Sequence, residues 1–66
     1  MHIILNGSLR EVPDNLTAGD LIIELGLIDK RLAVEVNQQI VPRSTLGSHP
    51  INPDDKVEIV QAIGGG

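Results

Sequence analysis

Apolar residues recur along this chain with two different spacings, and the switches between them divide it into elements. Met1-His2-Ile3-Ile4-Leu5 is an apolar run, Asn6-Gly7 is the dipeptide best suited to a two-residue hairpin turn, and Leu9-Arg10-Glu11-Val12 returns. A β-hairpin is predicted there. Pro13-Asp14-Asn15 then breaks the ladder, since proline has no N–H to contribute. From Ala18 the spacing becomes i, i+3, i+4, i+7 through Leu21, Ile22 and Leu25, which gathers these side chains on one face of a short helix. Thr17 and Asp20 stand at the positions of a capping box, and Leu16 and Leu21 at those of a hydrophobic staple. Gly26 supplies a left-handed stop after which Leu27 can fold back over Ile22. The apolar face of this helix is expected to pack on the hairpin.

Beyond the connector Ile28-Asp29-Lys30-Arg31 the period shortens to two. Leu32, Val34 and Val36 alternate with Ala33 and Glu35, the signature of a half-buried strand. Asn37-Gln38 turns the chain, and Gln39-Ile40-Val41 forms a short return strand ended by Pro42, which suits a sheet edge. Residues 43–50 read as irregular, Ile51 as a core anchor, and Asn52-Pro53-Asp54-Asp55 as a solvated turn. The run Lys56-Val57-Glu58-Ile59-Val60-Gln61-Ala62-Ile63 is a final strand. If Val57, Ile59 and Ile63 face the core, strand parity turns Lys56, Glu58, Val60 and Ala62 outward. Val60 and Ala62 then form a candidate docking patch beside the last three residues.

The element order, hairpin, helix, short strands and last strand, gives an α+β domain: a mixed sheet of four to five strands with one main helix packed on one face, the β-grasp layout. Residues 1–63 form this single domain and 64–66 a flexible glycine tail. Leu, Ile and Val supply 23 of the 66 residues, enough for a core. A domain of this size buries only about 60% of its unfolded surface, so modest stability is expected.

Charge and composition remove several classes of function. The net charge of −4 and the absence of Phe, Trp and Tyr argue against nucleic acid, which needs clustered cations and stacking platforms. An acidic chain fits either a solvated surface or a basic patch on a protein partner. With no cysteine there is no disulfide framework, thiolate metal site or cysteine nucleophile, which is consistent with a reducing cytoplasm. No signal pattern precedes the first strand and no apolar run reaches the roughly 18 residues of a membrane span, so neither a leader nor a membrane association is expected.

Little in the chain is suited to catalysis. His2 and His49 lack ligand spacing and any nucleophile context, and Asp54-Asp55 lacks the alternating ligands of a calcium loop, so no metal site is expected. Gly64-Gly65-Gly66 is not a phosphate loop, because no helix follows to present backbone donors. Without Cβ atoms, those glycines can be drawn extended into a slot too narrow for side chains, carrying the terminal carboxylate of Gly66 with them. A frayed terminus is the plainer account of the same residues.

The Asn6-Gly7 hairpin, the segment Val36-Asn37-Gln38-Gln39-Ile40-Val41-Pro42-Arg43, the Asp54-Asp55 turn and the glycine end together resemble the ubiquitin-like sulfur carriers of thiamine biosynthesis, over essentially the whole chain. The resemblance implies the β-grasp fold and a role as protein co-substrate rather than enzyme. It carries over Gly65 and Gly66; Gly64 departs from the family's two-glycine requirement and lengthens the tail. It also implies the partners: an adenylating, E1-like enzyme that uses ATP and Mg²⁺ to activate the Gly66 carboxylate, a sulfur donor such as a cysteine desulfurase, and thiazole synthase as acceptor of the thiocarboxylate sulfur. No cofactor bound to the chain itself is implied. A carrier for another acceptor, such as the molybdopterin precursor, a ubiquitin-like modifier joined to lysines, and a noncovalent β-grasp interaction module are the alternatives open at this point.

Overall fold

Two tight turns with positive φ at both central residues fold the strands into hairpins. In the computed structural model, which describes residues 1–61, Asn6 and Gly7 have φ of 49° and 83° and join β1 (His2–Leu5) to β2 (Ser8–Glu11) in antiparallel register, Leu5 opposite Ser8. Asn37 and Gln38, at 51° and 70°, do the same between β3 (Leu32–Val36) and β4 (Gln39–Val41), with Val36 opposite Gln39. Positive φ at both positions matches the right-handed twist of the flanking strands.

The last strand, β5 (Lys56–Gln61), enters between the two hairpins. It runs parallel to β1, with Ile4 beside Lys56 and Leu5 beside Val57, and antiparallel to β3 from Val36–Val57 to Leu32–Gln61. The sheet order is therefore β2-β1-β5-β3-β4, a mixed five-stranded sheet. Proline at position 42 closes β4 on an edge, as its missing N–H requires.

Helix α1 (Ala18–Glu24) lies across one face of this sheet. Both halves of the capping box form: the Asp20 N–H donates to Thr17 Oγ1 and the Thr17 N–H to Asp20 Oδ2, each at 3.1 Å. At the other end Gly26, with φ of 74°, sits at C′; the Leu27 N–H reaches the Ile22 carbonyl and the Gly26 N–H that of Ile23, both at 3.0 Å. That pair of bonds is the Schellman termination, which satisfies two otherwise orphaned carbonyls.

The buried cluster joins Ala18, Leu21 and Ile22 of the helix to Ile3, Val34, Val36, Val41, Val57 and Ile59 of the sheet, with Val12, Leu16 and Ile51 around it. The helix thus shares its core with Ile3 of the first hairpin, as expected, and also with residues of β3, β4 and β5. β2 is exposed along its length, so the hairpin strands place only Ile3 among the fully buried residues.

Residues 43–48, read as irregular from sequence, form a 3₁₀ helix, Arg43–Ser48. No apolar stripe announces it, and its own hydroxyls hold it: Thr45 Oγ1 donates to the Pro42 carbonyl at 3.0 Å and Ser48 Oγ to that of Thr45 at 3.2 Å. It packs against α1 at Gly19, whose missing Cβ leaves room for the Gly47 backbone. A Cβ built on Gly19 would lie 3.0 Å from Gly47 Cα, so the two backbones meet at a distance that only glycine permits without adjustment.

Candidate functional site

β5 is the last described element, and in sequence only Ala62 and Ile63 separate it from the three glycines. Val57 and Ile59 are buried, and ladders on both sides hold the first half of the strand. Three further bonds come from turn residues far away in sequence. The Ile59 N–H donates to Asn6 Oδ1 at 2.8 Å, across 53 residues, taking the place of a ladder bond where β1 has already ended. The Lys56 N–H donates to Asn37 Oδ1 at 3.0 Å, and the Asn37 N–H to the Lys56 carbonyl at 2.8 Å. The two hairpin asparagines therefore serve twice, tolerating positive φ and bracing the central strand with their amides.

Asp55 completes this brace. It is only 9% exposed; its Oδ2 accepts from the Asn52 N–H at 2.8 Å and its Oδ1 from Asn37 Nδ2 at 3.0 Å. The expected solvated Asp54-Asp55 turn is thus half right: Asp54 is exposed with φ of 67°, whereas Asp55 is a buried structural acceptor. Sequence reasoning passed over Asn6, Asn37 and Asp55 as bracing groups. Their signal was present as turn residues, but the partners lie too far along the chain for local spacing to reveal.

Strand parity places Val60 as predicted. It is 61% exposed on the sheet face away from α1, opposite Ala33 of β3. The adjoining row brings Glu58 directly opposite Glu35, which in turn faces Ile40 of β4, also exposed. Like charges directly opposite one another weaken a strand pair. The outer face near the end of β5 is therefore both apolar and acidic. Ala62, Ile63, Gly64, Gly65 and Gly66 lie outside the described residues.

The structure does not gather the remaining candidates. His2 sits on the outer face with Nε2 3.5 Å from Glu11 Oε2. His49 is half-buried after the 3₁₀ helix, where its carbonyl accepts from the Ala18 N–H at 2.8 Å. Among the described residues no group of three or more His, Asp or Glu side chains is placed to hold a metal ion. No helix among them is long and apolar enough to cross a membrane. What the arrangement provides is placement: a braced central strand, an apolar and acidic face beside it, and the glycine end next in the chain.

A family model described as the ThiS family matches residues 3–66. Over 66 residues the chain is 41% identical to a thiazole synthase of Paramagnetospirillum magneticum; all of this chain is covered, but it spans only 20% of that protein's length. It is 30% identical to the sulfur carrier protein ThiS of Escherichia coli K12, with both chains covered in full. Its fold is similar to the crystal structure of the thiamine biosynthesis protein ThiS from Geobacter metallireducens, at a TM-score of 0.86 and 25% identity over the full length of both. The β-grasp sheet, the match through the final glycine and the full-length similarity to a sulfur carrier agree: this chain belongs to the ThiS family.

Proposed function

We propose that this chain is a sulfur carrier for thiazole formation in thiamine biosynthesis, acting as a protein co-substrate in the cytoplasm. The observation that carries the reading is the family match, which runs through Gly66 and is joined by full-length similarity to a sulfur carrier protein. The Gly66 carboxylate attacks the α-phosphorus of Mg-ATP on an adenylating enzyme; pyrophosphate leaves and an acyl-adenylate forms. Mg²⁺ and cationic groups of that enzyme offset the phosphate charge. A persulfide sulfur, supplied by a cysteine desulfurase or an equivalent donor, then attacks the Gly66 carbonyl and displaces AMP. This forms a C–S bond and an acyl-disulfide with the donor; a thiol then attacks the donor's sulfur, breaking the S–S bond carried over from the persulfide, forming a donor–thiol disulfide and releasing the thiocarboxylate, whose sulfur passes to thiazole synthase. Gly64 and Gly65 let the end of the chain enter each active site without side-chain clashes.

Thiazole synthase is supported as the acceptor by the relative that bears this name, in which a segment of one polypeptide resembles the entire chain. Docking to the adenylating enzyme is assigned to the outer face around Val60, with Ala62 joining it by the strand parity read from sequence; there the apolar surface and the Glu35–Glu58 pair suit a partner with an apolar patch ringed by cations. The test is the intact mass after incubation with the adenylating enzyme, Mg-ATP, a cysteine desulfurase, cysteine and a thiol reductant, beside a chain lacking Gly66. One oxygen replaced by sulfur, in the full chain alone, is the expected result. No change in mass, with enzymes active on another carrier, overturns the reading in favour of a modifier or a binding module.

A further inference from the structure

A second surface lies on the other side of the sheet. Between α1, the loop after it and the 3₁₀ helix the molecule is indented by a groove of about 230 Å³. Ile22 is buried in its floor, with Leu27, Leu32 and Leu46 half-buried beside it. Ile23 and Ile28 line it as well, yet they remain 59% and 60% exposed, unusually open for isoleucine next to a cavity.

Two observations say what fits there. The first is charge. In a chain of net charge −4 with five Lys and Arg, two of them, Lys30 and Arg43, line this one groove. Neither is in an ion pair among the described residues. Asp20, Glu24 and Asp29, on the adjoining segments, do not line it. The apolar floor therefore carries a cationic rim, opposite in sign to the chain as a whole. The second is size. A volume of about 230 Å³ falls below the roughly 300–1,000 Å³ of pockets that enclose drug-sized ligands, so it suits one or two inserted side chains rather than a cofactor.

Position ties this groove to the tail. Leu32 in its wall is the register partner of Gln61, the last described residue of β5. Val60 and the groove thus lie on opposite faces of the sheet at the same end of β5.

We propose that the groove docks an acidic segment of a partner protein that handles the tail, an apolar anchor side chain seated on Ile22 and Leu27 with flanking carboxylates paired to Lys30 and Arg43. This rests on the carrier reading for the identity of the partners. The carrier then has two recognition faces at the root of its tail, so that its partners need not all compete for the outer face.

The experiment uses the full ¹⁵N-labelled chain, titrated separately with the adenylating enzyme and with thiazole synthase. Amide signals of Ile23, Leu27, Ile28 and Leu46 should move or broaden with at least one of them. Ile23→Glu and Arg43→Glu, both at exposed positions, should weaken that binding about tenfold or more while their spectra stay folded, and added salt should weaken the native complex more than the Arg43→Glu complex. Lys30→Glu serves if either variant unfolds. Affinities within twofold of the native chain for the folded variants with both proteins, or groove signals unmoved by both, overturn the proposal. Tail chemistry is followed by mass in parallel samples that also hold the adenylating enzyme, Mg-ATP, a cysteine desulfurase, cysteine and a thiol reductant: groove binding without a sulfur-for-oxygen shift in these refutes the carrier reading and leaves the groove standing.

Discussion

Removing the Asp55 carboxylate tests whether β5 is braced as described. Asp55→Ala deletes the acceptor of the Asn52 N–H and of Asn37 Nδ2, and it frees the Asn37 amide whose Oδ1 caps the Lys56 N–H. A hydrogen bond to a charged group contributes about 1.5–3 kcal/mol. Asn37 and Asn52 are exposed enough for water to take over part of the loss, so the two bonds together should come to about 2–3 kcal/mol rather than their full sum. Against a total stability of roughly 3–10 kcal/mol for a chain of this length, that is a large fraction. At about 4–8 °C per kcal/mol, the melting temperature should fall by about 10–20 °C.

The chain has no Phe, Trp or Tyr, so intrinsic fluorescence cannot follow its unfolding. Urea titration by far-UV circular dichroism, with thermal melts beside it, supplies the numbers. Asn37→Ala and the double variant close a thermodynamic cycle, which should show a coupling of about 1 kcal/mol between the two side chains. Asp55→Asn keeps the shape but sets an amide N–H₂ against one of the two donors, and should lie between the native chain and Asp55→Ala. A loss below about 0.5 kcal/mol for Asp55→Ala, the range of ordinary surface substitutions, would refute the reasoning and return the turn to simple solvation.

Four further outcomes are expected. Leu21→Ala, at a fully buried helical position, should cost about 2–5 kcal/mol and leave a visible unfolded fraction by circular dichroism at room temperature. Gln38→Gly should raise stability by about 0.5–1 kcal/mol in the same urea assay, because φ of 70° strains glutamine more than the extra freedom of glycine costs the unfolded chain. Gly19→Ala should lower it by about 1 kcal/mol although alanine favours helix, since the new Cβ meets the Gly47 backbone; displaced amide signals at Gly47 would identify the cause. Val60→Asp should leave the melting temperature within a few degrees and weaken binding to the adenylating enzyme about tenfold in calorimetry, whereas an unchanged affinity removes Val60 from that interface.

Features decided within a few residues were legible in the sequence. The Thr17 and Asp20 capping box, the Gly26 stop, both hairpin turns and the alternation along β3 and β5 depend on neighbours one to four positions away, and each forms where local spacing places it. So did the resemblance that led to the family, since its motifs are short segments at characteristic places. What only the tertiary structure decided are relations between distant segments. Alternating apolar residues show that a strand is half-buried, but not which strand it pairs with, so the insertion of β5 between β1 and β3 was not contained in its own pattern. The bonds from Asn6 to Ile59 and from Asn37 to Lys56 exist only because that insertion brings together groups 53 and 19 residues apart. The 3₁₀ helix has no apolar period to betray it, and the Gly19–Gly47 contact is invisible until two backbones meet. The cationic groove shares this origin in part: seven of its residues lie within the stretch from Gly19 to Leu32, and the fold brings Arg43 and Leu46 of the 3₁₀ helix to them.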